Sequence, residues 1–279
     1  MADFGAYGVV PDLRSAPRDH RFDQLLDDIA VRGFAALPNA LSSDHVDHLN
    51  TVMDQVYARQ CREVGGEDQL ARMADADIAR CLLAYDKAFL ALATDPILAG
   101  VSRAMLGENV VLLMQNGVIN RPGRRQAQAR WHRDLNYQHW VCSRPIAMSA
   151  LVCLEDFNLE TGGTTFLPGS HLLEQFPPEA MAERNAVTPE LSRGSIIFFN
   201  SMVFHRAGLN QSGRVRRAVN HVIGVPILTQ QVDIPAMLDQ EPPADPWLAG
   251  YLGYRWNPTP DVAAWRLKRI AQSSASETS

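Results

Sequence analysis

The sequence predicts a mainly β protein with flanking helices: a double-stranded β-helix of the jelly-roll, cupin-like type behind a helical N-terminal layer. Two observations carry this. Apolar residues recur at helical spacing up to Gly107, and from about residue 109 the period becomes that of strands. Beyond that point short apolar runs alternate with glycine turns, the pattern of a two-sheet jelly roll. The chain of 279 residues suffices for one large core. One domain is expected over residues 1–270, with the jelly roll at about 109–225 and a small, polar, disordered tail at 271–279.

The elements follow in order. Phe22, Leu25, Leu26 and Ile29 share one face of a first helix, which Gly33 ends. Residues 34–37 form a short strand closed by Pro38. Ser42 or Ser43 caps a second helix with the stripe Val46, Leu49, Met53 and Val56; His45 and His48 near its start are read as a solvated face. Residues 60–75 read as an irregular polar loop with short helical turns and 78–93 as a helix. Asp95 and Pro96 open a further helix that Gly107 ends. Strands are then expected at 110–115, 117–120, 147–154, 164–167, 195–199 and 215–225. The run 147–154 is apolar at every position but Ser149, as suits a strand buried on both faces.

Composition narrows the function. Net charge is −5, which gives nucleic acid no basic face to bind. Cys61, Cys81, Cys142 and Cys153 are scattered with no Cys-x-x-Cys pair, so neither a disulfide framework nor a zinc–thiolate site is expected. The opening residues lack the pattern of a signal peptide, and no run reads as a membrane span. The expectation is a cytoplasmic protein, monomer or homodimer, acting on a small molecule.

The chemistry concentrates in Trp131-His132-Arg133-Asp134 and Phe204-His205-Arg206-Ala207-Gly208. In an extended strand, residues two apart point to one face, so His132 and Asp134 can converge on one ion. A second imidazole from His205 completes two histidines and one carboxylate, a set that holds non-haem iron(II) and leaves positions open. The plainer reading of His-x-Asp alone is two polar residues facing a polar pocket. Tyr137 and Trp140 follow this stretch and, taken by themselves, read as core packing. Arg121, Arg124, Arg125, Arg130 and Arg133 make a basic loop, either solvated or gripping an anionic substrate, with Arg125 a candidate contact. His171 reads as a turn residue, and His139 and His221 as satisfied polar groups. Trp247, Tyr251, Tyr254 and Trp256 read as packing for a C-terminal helix.

Several pieces, in order, resemble the phytanoyl-CoA dioxygenase family of iron(II)/2-oxoglutarate oxygenases. They are Gly33-Phe34 to Leu41-Ser42, Gln115 to Pro122-Gly123, Trp131 to Asp134, Gly162-Gly163 to Pro168-Gly169-Ser170-His171, and His205 to Arg216. The resemblance implies that His132, Asp134 and His205 hold iron(II). It implies that Arg216, eleven positions after His205, forks onto the distal carboxylate of 2-oxoglutarate, and that Gln115 is a further partner of that cosubstrate. It also implies that Tyr137 and Trp140 line the substrate entrance, the alternative to core packing. The implied activity is O2-dependent hydroxylation of a small polar metabolite with release of succinate and CO2. Desaturation, epimerisation or cyclisation at the same site, or a metal-binding jelly roll without catalysis, are the alternatives.

Two departures matter. Ala207 stands where the family often has a hydroxyl, which removes one expected bond to 2-oxoglutarate. Arg133 stands where the family often has Gln; on a strand it points away from the metal, with little expected effect on iron. Asp134 itself argues against halogenation, which needs a small residue there.

Overall fold

The computed structural model describes residues 22–124, 127–135, 137–256, 258–267 and 270. The expected tail at 271–279 and Arg125 lie outside the described residues. Helix α1 (Asp23–Arg32) stops at Gly33, whose φ of 89° is left-handed and whose N–H returns to Ile29 O. Strand β1 (Phe34–Leu37) follows, then α2 (Ser43–Glu63), capped by the Ser42 hydroxyl on His45 N. The predicted stripe of α2 is buried.

Helix α2 runs on to Glu63, and α3 (Glu67–Arg72) is a short helical turn of the kind expected within 60–75. Residues 78–93 differ from expectation. The expected helix over 78–93 divides. Ile78–Ala79 forms β2, paired with Val118 and Gly117. The Gln60 amide brackets the Arg80 backbone, donating to its O at 2.6 Å and accepting from its N at 2.8 Å. These tertiary bonds hold the chain extended where periodicity alone favours a helix. Asp86 then caps α4 (Lys87–Ala93), and Asp95 caps α5 (Pro96–Leu106) with proline at its first turn. The stretch Lys87–Leu106 is the one among the described residues apolar and long enough to cross a membrane by composition. It breaks at Asp95–Pro96, and Phe89, Leu92, Leu98 and Val101 are buried in the core.

Strand β3 (Val111–Asn120) is continuous, with a bulge between Leu112 and Met114, rather than two strands. The remaining elements are β4 (Ala147–Cys153), β5 (Thr164–Phe166), α6 (Glu179–Asn185), β6 (Ile196–Asn200), β7 (His205–Ala207), β8 (Arg216–Gly224), α7 (Ile234–Leu238) and α8 (Pro246–Tyr251). Six strands form an antiparallel sheet in the order β1-β6-β4-β8-β3-β2, and β5 pairs with β7 in a second sheet. Both edges of the large sheet thus come from the N-terminal part of the chain. The stretch Trp131–Asp134 joins the second sheet only through a bridge between His132 and His205.

Alternation along the large sheet sorts its side chains into two compartments. Met148, Ala150, Val152, Ile196, Phe198, Val219 and Ile223 pack against the helices. Leu151, Cys153, Ile197, Phe199 and Ala218 face the interior between the sheets, against Phe166 and Val203. Every residue of β4 is buried, as a run apolar at all positions but Ser149 requires. The interior compartment holds the functional candidates.

Candidate active site

The structure brings His132, Asp134 and His205 together, with one donor atom of each within 4.8 Å of the others. Backbone bonds build this cluster. His132 N donates to His205 O and His205 N to His132 O, both at 3.0 Å, and Asp134 N donates to Ser201 O at 3.1 Å. Each imidazole Nδ1 faces a carbonyl, Arg130 O at 2.8 Å for His132 and Val203 O at 3.1 Å for His205. A carbonyl only accepts, so Nδ1 carries the proton and each Nε2 lone pair is left for an ion. Nε2 of His205 lies 3.5 Å from Asp134 Oδ1. The other carboxylate oxygen, Oδ2, accepts from the Ser149 hydroxyl and from Asn220 Nδ2 at 3.4 Å.

The electrostatics suit a cation. Burial pushes the Asp134 carboxyl up, but the imidazoles of His205 and His132 and the bonds from His205 and Ser149 outweigh it and bring it down to about 2. Burial, then the neighbouring His205, lowers His132 to about 4. At neutral pH the cluster therefore offers one carboxylate and a neutral His132 imidazole, the protonation states a divalent ion needs.

Arg216 opens β8 on the interior side and is 2% exposed. Its Nη2 donates to Gly162 O at 2.8 Å, and the guanidinium lies 4.4 Å from the Phe157 ring centroid. Its Nε is buried with no partner, and no carboxylate among the described residues reaches ion-pair distance. Burial lowers its pKa to about 10, so the group stays cationic at neutral pH. Asn220 lies four residues further on β8, on the same face, beside Asp134. The arginine and the His–Asp–His cluster thus share one compartment.

Other expected residues fall elsewhere. Gln115 is fully buried on the helix-side face of β3, opposite His221, and donates to Phe89 O at 2.8 Å. It is turned away from Arg216, whose cross-strand partner is Asn120. Tyr137 and Trp140 are 53% and 51% exposed, not core. Two arginines of the basic loop are paired: Arg121 Nε donates to Asp77 Oδ1 at 2.7 Å, and Arg124 reaches Asp77 at 3.2 Å and Glu67 at 3.1 Å. That pairing occupies Arg121 and Arg124, while the candidate contact Arg125 lies outside the described residues. Arg133 is buried and bonds to backbone carbonyls. His171 donates from Nε2 to Ala30 O at 3.1 Å, a structural tie as its turn suggested. His45 and His48 line a separate cavity of about 610 Å³ between α2, α4 and the C-terminal segment. Sequence reasoning missed Ser149, Ser201 and Asn220 around Asp134; the period-two spacing of Asn220 from Arg216 is the one local signal for them.

A jelly roll whose interior joins a His–Asp–His cluster to a buried arginine defines an iron(II)- and 2-oxoglutarate-dependent oxygenase by class. The family model described as phytanoyl-CoA dioxygenase (PhyH) matches residues 30–218, and the chain belongs to that family. It is 28% identical over 218 residues to the uncharacterized protein Rv1501 of Mycobacterium tuberculosis, covering 76% of this chain and 78% of that protein. Its fold is similar to EctD from S. alaskensis, solved with 2-oxoglutarate and 5-hydroxyectoine, at a TM-score of 0.62 and 22% identity over 74% of this chain and 76% of that one. The epimerase SnoN, solved with Fe3+, alpha ketoglutarate and nogalamycin RO, gives a TM-score of 0.56 and 22% identity over 81% and 93% of the two chains.

Proposed function

We propose that this protein hydroxylates a small polar molecule, using iron(II) held by His132, Asp134 and His205 and 2-oxoglutarate anchored on Arg216. The observation that carries the reading is Arg216: a fully buried cation with an unpartnered Nε and no carboxylate partner among the described residues. A buried guanidinium left this way is costly, and a dicarboxylate cosubstrate supplies the missing charge and acceptors in one plane. The donor set fits iron(II), since two imidazoles and a carboxylate leave the opposite face open. When bound, the iron and cosubstrate supply the oxidant that removes a substrate hydrogen, with succinate and CO2 released.

The chain's own residues set the geometry. Ser149 and Asn220 hold Asp134 Oδ2, so that Oδ1 is the oxygen turned toward His205. Phe166 and Phe199 flank the His205 ring at centroid distances of 5.8 and 4.9 Å and keep water from that side. The amides of Asn116, Asn120 and Asn220 lie on the interior face of β3 and β8, and Asn220 Oδ1 is buried without a partner, which supports a polar substrate. The exposed rings of Tyr137 and Trp140, close after Asp134, are free to meet it.

Anaerobic addition of iron(II) and then 2-oxoglutarate tests the reading. A visible charge-transfer band is expected in the wild type and is lost in Asp134→Ala. Succinate formed with O2 in the presence of candidate small molecules, and the mass of the product, then separate hydroxylation (+16 Da) from epimerisation or cyclisation. No band and no succinate would leave a jelly roll without this chemistry.

A further inference from the structure

We infer that Arg133, between two of the ligand residues, is a positioning residue that clamps the two halves of the metal site in register before the ion arrives. The inference rests on the metal reading above. It departs from the expectation that a side chain pointing away from the metal has little effect on it.

The reason lies in how weakly the first half is tied. His132 and Asp134 belong to no strand of either sheet; three backbone bonds, two to His205 and one to Ser201, hold them. The second half is the turn 201–204 leading into His205, and each of its residues bonds to the site or its support. Ser201 O accepts from Asp134 N, and Val203 O accepts from His205 Nδ1. Met202 O accepts from Arg133 Nε at 2.9 Å. Phe204 N donates to the Ser170 hydroxyl at 2.8 Å, and its ring lies 3.9 Å from the Arg133 guanidinium carbon. From the other side of that guanidinium, Nη1 donates to Glu174 O at 3.0 Å, and Nη2 donates to Ser170 O at 3.3 Å and to Leu173 O.

One planar fork thus spans three pieces of chain: the His132–Asp134 segment, the turn before His205, and the turn 170–174. Arg133 is 7% exposed, and its acceptors are all carbonyls, with no carboxylate among the described residues in reach. An ammonium is a single point and cannot serve acceptors on separate turns at once. Without the fork, the ordering of the segment would have to occur on metal binding and would be subtracted from affinity. A residue that only held the fold would lower the melting temperature and leave the affinity of the folded protein unchanged.

The test is anaerobic titration of the full-length protein with cobalt(II), as a spectroscopic substitute, and with iron(II). Wild type, Arg133→Lys and Arg133→Gln are compared well below their melting temperatures. We expect affinity to fall by about tenfold or more in Arg133→Gln, and by less in Arg133→Lys, with altered cobalt ligand-field bands in both. Wild-type affinity and bands in these variants, even with lowered melting temperatures, would overturn the clamp. If Arg133→Gln does not fold, Arg133→Lys decides on the same criterion. A wild type that binds neither ion, or an Asp134→Ala variant that binds both fully, would instead overturn the metal reading, and the clamp with it.

Discussion

Ser149, on β4, donates its hydroxyl to Oδ2 of Asp134 and lies 2.9 Å from the Ser201 hydroxyl. Asp134 is thereby held by one oxygen and offers the other. Removing the hydroxyl frees the carboxylate to rotate and to bind two-pronged. Ser149→Ala should weaken iron(II) binding about tenfold, the worth of one hydrogen bond to a charged group. Ser149→Thr, which keeps the hydroxyl, should come closer to wild type. Equal iron affinity in wild type and Ser149→Ala, measured anaerobically, would show that Asn220 and the backbone suffice.

Gly162 links the cosubstrate side of the pocket to the chain. Its O accepts from both Arg216 Nη2 and Asn120 Nδ2, at 2.8 and 3.2 Å. Its φ is +69°, and an added Cβ would stand 2.6 Å from Gly208 O and 2.7 Å from Asn210 N. Backbone on both sides leaves no room to yield. Gly162→Ala should therefore destabilise the protein by roughly 1–3 kcal/mol and raise the Michaelis constant for 2-oxoglutarate, with iron affinity less affected. Urea unfolding and a cosubstrate titration check the two effects separately.

What the sequence disclosed and what it withheld follow from the range of the bonds involved. The helix caps at Ser42 and Asp95 are signals within three residues, and both form as expected. Two-residue spacing brought His132 and Asp134 into one proposal, and they do lie together with His205. Gln115, which the resemblance made a partner of the cosubstrate, lies on the helix-side face, because the face a β3 residue takes depends on the bulge and the register with β8, which only the folded sheet fixes. The basic loop looked free because Asp77, its counter-charge, lies 44 residues before Arg121. The strand at Ile78–Ala79 likewise depends on Gln60 and β3, and no periodicity reports such partners.

His221, on the helix-side face of β8, is fully buried, and burial lowers its pKa to about 4 from 6.5. Its Nδ1 faces Ala150 O at 3.3 Å and its Nε2 faces the Gln115 amide nitrogen at 2.9 Å, so Nε2 must accept and cannot take a second proton without losing that bond. The unfolded chain binds a proton between about pH 6.5 and 4 that the folded chain refuses. The stabilising contribution is complete above about pH 6.5 and is lost as pH falls through that window, by roughly 2 kcal/mol at pH 5. Metal-free wild type should therefore lose more stability between pH 7.5 and 5 than His221→Gln, by about that amount in urea unfolding. The same loss in both would mean that His221 is protonated in the folded protein.

Arg216 yields a prediction of opposite sign for stability and for binding. Its fork can meet both oxygens of a carboxylate, a bond worth on the order of 1.5–3 kcal/mol, so Arg216→Ala should weaken 2-oxoglutarate binding by roughly 10- to 150-fold. Iron(II) affinity should stay near wild type, because Arg216 bonds to Gly162 and not to the His–Asp–His cluster. Arg216→Lys should fall between, keeping the charge and losing the plane. Arg216→Met refills much of the volume beneath Phe157 with an apolar chain. A buried cation with no counter-charge opposes folding, so this variant should be as stable as the cosubstrate-free wild type or more so, while still binding 2-oxoglutarate poorly. The neighbours serve as controls. Arg214 is exposed, and Arg217 pairs with Asp54 at 2.8 and 2.9 Å on the helix side. Arg217→Ala should cost a little stability and leave the cosubstrate titration unchanged. Anaerobic titration of the charge-transfer band reads binding in each variant, and urea unfolding without 2-oxoglutarate reads stability. An Arg216→Met protein that is markedly less stable and titrates normally would reduce Arg216 to a packing residue and move the anchor elsewhere.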